Sequence, residues 1–75
     1  MVQRVKIARS ARKHRVSKHR ILAARRHSGV PIIQPDGSVL YVGRDTKGRL
    51  TEVLAFVAAE DDQLLIVFHA MPLEW

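Results

Sequence analysis

The sequence predicts a small α+β domain in which two N-terminal helices pack on a four-stranded antiparallel meander sheet. Two observations lead to this fold. Residues 5–27 are mostly good helix formers with one short break, whereas residues 30–70 form short apolar segments separated by turn residues. A chain of 75 residues has room for one domain. Residues 1–75 are therefore assigned to it, with a basic helical hairpin over 1–29 and the sheet over 30–72.

The first half of the chain predicts the two helices. The first runs from Val5 to His14, and its apolar residues have the spacing of one helical face. Ser17 is a favourable N-cap for a second helix over Lys18–His27, and Ser28–Gly29 ends that helix. The residues that the second helix is expected to bury are Ile21, Leu22 and Ala24.

The second half predicts four strands. Runs of β-branched, aromatic and other apolar residues alternate with Pro, Gly and Asp, which are typical of turns. The predicted strands are Val30–Gln34, Val39–Arg44, Leu50–Ala58 and Leu64–Ala70. The turns between them are Pro35–Gly37, Asp45–Gly48 and Glu60–Asp62.

The charges are distributed unevenly between the two halves. Residues 1–27 contain ten Lys or Arg and no acidic residue (+10), whereas residues 28–75 contain three basic and seven acidic residues (−4). Ten like charges in one segment repel one another, so the asymmetry favours a polyanionic partner, above all a nucleic acid. An acidic protein partner and a solvated helix surface are the alternatives.

The sequence also bears on the compartment. No apolar run approaches the ~20 residues that span a bilayer, and residues 1–6 lack the apolar core of a signal peptide. There is no cysteine. We therefore expect a cytoplasmic protein that does not contact a membrane.

The predicted strands are apolar on both faces. In the third strand, Leu54 and Phe56 alternate with Val53 and Val57, and the fourth strand shows the same pattern. Two short helices cover only one face of such a sheet, so another polypeptide is expected on the second face. The alternative is a tightly curled sheet that buries its own interior.

The residues that can carry chemistry are few. The sequence has no phosphate-binding glycine loop, no nucleophile elbow and no zinc pattern, and no metal or cofactor is expected. Cleavage of RNA remains feasible, because the 2′-hydroxyl is an internal nucleophile and the protein supplies only proton transfer and cations. The candidates for this chemistry are His14, Tyr41, Arg44, Arg49 and His69. His69 interrupts an apolar strand, on the face of Leu65 and Val67, where a purely structural histidine is the alternative.

Two groups of basic residues are candidates for phosphate binding. We expect Arg9, Arg12, Lys13, His14 and Arg15 to form one surface, joined by Arg25 or Arg26 from the second helix. Arg44 and Arg49 flank the 45–48 turn, and an arginine there suits bidentate capture of phosphate. Alternatively, these two arginines are simply exposed, or Arg44 pairs with Asp45 or Glu52.

Several segments resemble a known family. "KHRVS" followed by a helix, "VLYVGRDTKGRLTEVLAFV" as strand-turn-strand, and the final strand "LLIVFHAMP" are similar to the BrnT-type toxins of bacterial toxin–antitoxin operons, in the RelE/ParE superfamily. The resemblance covers roughly Ile7 to Pro72. It implies a compact RelE-like fold, metal-independent cleavage of messenger RNA, and an antitoxin bound to the sheet. It also implies contact with operator DNA only through the antitoxin complex.

The chain departs from this family in two places. BrnT-type toxins usually end with a Ser-Ala-Arg segment and a basic tail, where this chain has His69-Ala70-Met71-Pro72. The strand that precedes the helices in many BrnT-type chains is missing or reduced. By resemblance His69 borders the active surface, where an imidazole can exchange a proton and an arginine cannot. His14 would then be the second proton-transfer group that a metal-free ribonuclease needs.

Three functions are consistent with these residues. We favour a ribonuclease toxin of a type II toxin–antitoxin pair, with His69, His14 and Arg44 as catalytic candidates. The second is a non-catalytic RNA- or DNA-binding module that uses residues 1–27. The third is a protein-interaction domain that uses the apolar sheet.

Overall fold

The computed structural model describes residues 4–73, which form a five-stranded sheet with one α-helix against one face. In chain order the elements are β1 (Arg4–Ile7), a 3-10 turn (Arg9–Arg12), α1 (Lys18–Arg26), β2 (Ile32–Ile33), β3 (Val39–Arg44), β4 (Leu50–Ala58) and β5 (Asp61–Pro72). The strand order across the sheet is β1-β5-β4-β3-β2. Strands β2 to β5 form an antiparallel meander, whereas β1 lies parallel to β5.

The predicted fold, two helices on a four-stranded antiparallel RelE-like sheet, is therefore wrong. The segment assigned to the first helix, Val5–His14, contains most of strand β1 and the short 3-10 turn, so residues 4–29 do not form a helical hairpin, and residues 1–3 lie outside the described residues. Val5 and Ile7 alternate with Arg4 and Lys6, and this period of two places the apolar pair towards the core and the cations in solvent. The free edge of β5 supplies the hydrogen-bond partners, which override the helix-forming composition. The strand that precedes the helices in many BrnT-type chains, which was expected to be missing or reduced here, is therefore present as β1.

Helix α1 begins at Lys18 as predicted and ends at Arg26, one residue before the predicted end at His27. Ser17 is the N-cap, and its hydroxyl accepts a hydrogen bond from the Arg20 N–H at 3.3 Å. The helix buries Ile21, Ala23 and Ala24, whereas Leu22 is only half-buried. Within residues 4–73, no helix has both the length and the apolar character needed to cross a membrane.

The core lies between α1 and one face of the sheet, which we call the helix face. The buried side chains that form it come from the helix, from the segment before it and from β4 and β5: Ala11, Val16, Ile21, Ala24, Val53, Ala55, Leu65, Val67 and Ala70. The opposite surface, which we call the far face, carries the alternate residues of the same strands.

Gly43 allows α1 to lie directly on β3. A β-carbon at this position would lie 2.7 Å from the Ser28 nitrogen and 2.8 Å from the His27 carbonyl carbon, and closer still to the Ala24 carbonyl oxygen. All three are backbone atoms, which cannot move aside as a flexible side chain can. The close packing of helix and sheet therefore depends on glycine at this position.

A second link between α1 and the sheet is the buried carboxylate of Asp45. It accepts hydrogen bonds from Arg20 Nε at 2.8 Å, from the Lys47 and Arg49 N–H groups at 2.8 and 3.0 Å, and from Thr51 Oγ1 at 3.1 Å. Burial alone would raise the pKa of Asp45, but these four hydrogen bonds lower it from the ordinary 3.8 to about 2. The charged carboxylate therefore holds the 45–48 turn in shape and joins it to the helix.

We expect Gly43→Ala to destabilise the protein because the added methyl group forces α1 away from β3. Overpacking of this kind costs about 1–3 kcal/mol, and each kcal/mol lowers the melting temperature by roughly 4–8 °C in a domain of this size. Thermal unfolding followed by circular dichroism measures the change. Gly29→Ala is the matched control, since nothing lies within 4 Å of its added β-carbon. Equal melting temperatures for the two variants would contradict the packing described.

We expect the Asp45 carboxylate to make stability depend on pH at the acid end. Because its folded pKa is lowered, its contribution is present above the unfolded pKa near 3.8 and is lost as pH falls towards 2. The full contribution is about 2–3 kcal/mol. Wild type and Asp45→Asn should therefore differ in melting temperature at pH 6 and converge near pH 2.

The matched control for this titration is Asp62→Asn, which removes a carboxylate at an exposed position of β5. It should follow the wild-type curve. A constant difference between wild type and Asp45→Asn from pH 6 to pH 2 would show that the variant disturbs packing and not the ionised carboxylate.

Candidate functional site

A β-bulge sets the direction of His69. In β4 and β5, Leu54 pairs with His69 but Ala55 pairs with Val67, so Phe68 is an extra residue in β5. The bulge reverses the alternation, which places Ala70 in the core and His69 beside Leu54 on the far face. The prediction that His69 shares the face of Leu65 and Val67 is therefore wrong, because it assumed an unbroken strand.

His69 is held by a carboxylate of the neighbouring strand. Its Nε2 lies 2.8 Å from Oε2 of Glu52, and both side chains are about one-quarter exposed. An ionised carboxylate only accepts hydrogen bonds, so Nε2 must carry the proton that it donates. The other ring nitrogen, Nδ1, then remains to accept a proton when the imidazole is neutral. This arrangement is the one that orients a general base.

His14 approaches His69 from the segment that follows β1. This segment runs beside β5, because the Ala8 N–H donates to the Val67 carbonyl at 2.8 Å and the Ser10 hydroxyl donates to the Phe68 carbonyl at 2.7 Å. The two imidazole rings meet edge to face, with centroids 5.7 Å apart and planes at 81°. The structure thus brings together the two histidines expected to complement each other, together with Glu52.

Arg15 turns the chain sharply after His14. Its φ of 58° lies in the left-handed region, and it is the only non-glycine residue within 4–73 with positive φ. This conformation costs an ordinary residue about 1–2 kcal/mol. The turn separates two neighbouring side chains, since His14 faces His69 whereas Arg15 lines a depression on the helix side.

Three adjoining depressions run between β1, the 3-10 turn and α1. The first, of about 380 Å³, is lined by Ile7, Arg12, Arg15, Val16, Ser17 and Lys18. A second, of about 350 Å³, shares Lys18 and adds Arg25 and Arg26, while a third shares Arg12 and adds Arg9. We call this surface, with its cations Arg9, Arg12, Arg15, Lys18, Arg25 and Arg26, the basic groove. It contains five of the seven residues predicted to bind RNA.

The remaining predicted residues lie elsewhere. Lys13 and Arg49 are exposed and line none of these three depressions. Arg44 pairs with Leu50, which is four residues along β4 from the partner of His69, or ~13 Å at ~3.3 Å per residue. Its Nη1 donates to the Gly48 carbonyl at 2.8 Å. The structure does not bring Arg44 to the two histidines, and its catalytic role stays a prediction.

Two residues of the site were not predicted from the sequence. Glu52 was considered only as a partner of Arg44, although Glu52 lies eight residues before the predicted turn Glu60–Asp62 and His69 lies seven residues after it. That spacing places them near each other in any hairpin. Lys18 is the second, since it joins two parts of the basic groove. The start of a helix carries no local signal that a lysine there faces a groove.

The arrangement can transfer protons beside an anion. His69 and His14 supply an acceptor and a donor within one small area, and Arg15 of the basic groove directly follows His14 in the chain. Among residues 4–73, no three His, Asp or Glu side chains converge as a set of metal ligands. Comparisons with protein-family models, with curated proteins and with solved structures found no match. Function is therefore inferred from the residues and their geometry.

Proposed function

We propose that the protein is a metal-independent endoribonuclease that acts as the toxin of a type II toxin–antitoxin pair, as its resemblance to BrnT-type toxins implies. The observation that supports cleavage is the contact between His14 and His69, with Glu52 bound to His69. Two imidazoles in one small area can supply the proton acceptor and the proton donor that cleavage through the 2′-hydroxyl uses. Because β1 precedes the helix, the chain does not lack the strand that many BrnT-type chains have at this place.

The proposed reaction proceeds through the substrate's own hydroxyl. Neutral His69 accepts the proton of the RNA 2′-hydroxyl at Nδ1, while the Glu52 carboxylate stabilises the imidazolium that forms. The 2′-oxygen bonds to phosphorus, and the bond to the 5′-oxygen breaks as protonated His14 donates a proton to that oxygen. The products are a 2′,3′-cyclic phosphate and a 5′-hydroxyl. Cations of the basic groove hold the adjoining part of the RNA strand through its phosphates.

The far face supports the proposed antitoxin contact. Phe56 lies on this face, is 41% exposed, and packs against Phe68 with ring centroids 5.6 Å apart. Many of the other side chains on this face are half-buried. A curled sheet that buries its own interior would also produce this pattern. The antitoxin is therefore proposed to cover the part around Phe56.

The proposed chemistry predicts that His69→Gln abolishes cleavage and preserves RNA binding. Glutamine keeps a polar side chain beside Glu52 but cannot exchange a proton, so cleavage of RNA in EDTA should fall about 10²-fold or more. His14→Gln should have a similar effect. The matched control is His19→Gln, at an exposed position of α1.

The outcome of this experiment also separates the alternatives. Unimpaired cleavage by folded His69→Gln would remove His69 from the mechanism. Binding of RNA by the wild type without any cleavage would favour a non-catalytic binding module, for which the basic groove suffices.

The far face predicts that the isolated protein binds a hydrophobic dye and self-associates, despite a net charge of +6. Phe56→Ser should reduce both, whereas Val30→Ser is a control at a residue that is 92% exposed outside this face. Dye fluorescence and sedimentation velocity measure the effect. A wild-type monomer without dye binding would argue against an uncovered partner surface.

A further inference from the structure

The fold offers no local reason for an arginine at position 15. Its backbone is left-handed, a conformation that glycine adopts without strain and asparagine tolerates. Its N–H donates to the Arg12 carbonyl at 3.0 Å, which any residue except proline would do. Among the residues described, its guanidinium has no hydrogen bond or ion pair. A residue chosen only for this turn would not carry a long cationic side chain.

The surroundings of Arg15 supply a reason. It lines the first depression of the basic groove together with Arg12 and Lys18, and none of the residues within 4–73 that line this depression is a carboxylate. Three cations around one concave site repel one another unless an anion lies between them. The site is open to solvent and its volume of about 380 Å³ suits a group of nucleotide size.

The left-handed turn at Arg15 determines where this depression lies relative to the two histidines. His14 and Arg15 are consecutive, so their α-carbons are ~3.8 Å apart, yet one side chain meets His69 and the other enters the groove. A strand of RNA held at His14 and His69 therefore has its neighbouring phosphate within reach of Arg15. Beyond it, Lys18 leads to the second depression with Arg25 and Arg26.

We propose that Arg12, Arg15 and Lys18 form a phosphate subsite for the RNA strand, next to the histidine pair, and that the left-handed Arg15 is maintained because it aims the guanidinium into this subsite. The inference rests on the proposed function, since it assigns the ligand as RNA. Guanidinium groups are suited to this ligand because their donors match two phosphate oxygens at once.

The test measures binding separately from cleavage. The probe is a single-stranded RNA with 2′-O-methyl groups, which lacks the attacking hydroxyl, and affinity is measured across a range of salt concentrations. Arg15→Gly relieves the left-handed strain and removes the cation. It should unfold at a temperature equal to or above that of the wild type, bind about tenfold more weakly, and show a salt slope smaller by about 0.7.

Two further variants sharpen the result. Arg15→Lys keeps the charge and loses the planar fork, so the salt slope should stay near the wild-type value while affinity falls. Lys47→Ala removes an exposed cation of the 45–48 turn, outside the groove, and should bind like the wild type. If Arg15→Gly fails to fold, Lys18→Gln replaces it, because losing a cation at a helix start does not destabilise the helix. It should also reduce the slope by about 0.7.

Each outcome decides the subsite independently of catalysis. An unchanged slope and affinity in Arg15→Gly, or in Lys18→Gln, would overturn it even if the wild type cleaves RNA. Loss of binding in these variants would support it even if the wild type proved unable to cleave unmodified RNA, which would refute only the proposed function. Stronger binding of an acidic peptide than of RNA, with the same dependence on Arg15, would overturn RNA as the ligand.

Discussion

The parallel pairing of β1 with β5 is the constraint on which the candidate site depends. Val5 and Ile7 are aligned with Leu65 and Val67, and this register fixes where the chain leaves the edge of β5. From there, two further hydrogen bonds to the Val67 and Phe68 carbonyls guide the chain past the bulge. His14 meets His69 only because of this route. A helix over the same residues would shorten the segment from ~3.3 to ~1.5 Å per residue and lose that alignment.

A different set of contacts fixes where helix α1 lies on the sheet. These contacts and the pairing of β1 with β5 together define the basic groove. Asp45 draws Arg20 and the 45–48 turn onto one end of the helix, while Gly43 admits the helix backbone close to β3. Helix α1 therefore lies towards β3 and β4 and leaves a gap on the side of β1. That gap is the basic groove, lined by β1, the 3-10 turn and α1. Its shape is a consequence of where the helix is anchored.

Local signals in the sequence were sufficient for some elements and insufficient for others. Helix α1 was predictable from the Ser17 cap, and β3 and β4 from the turn between them. Strand β1 was not, because Val5 and Ile7 belong to a segment of helix formers and only the free edge of β5, distant in sequence, decides in favour of a strand. Their chemistry made His14 and His69 two of five candidates, and the resemblance to BrnT-type toxins suggested that they act together. The face of His69 was not predicted correctly, because no local residue signals the bulge at Phe68.

The segment that carries the candidate site also carries two costs to the stability of the fold. Of the ten basic residues in 1–27, Arg4 and Arg20 pair with Asp61 and Asp45. Arg12, Arg15 and Lys18 instead line one depression, and none of its lining residues within 4–73 is a carboxylate. The left-handed Arg15 adds backbone strain at the same place. Charge repulsion and strain are independent costs, and a small domain has little stability to offset either. Both costs lie beside the two histidines, and natural proteins tend to break local rules of stability at functional sites, which is the argument for treating this surface as a candidate site.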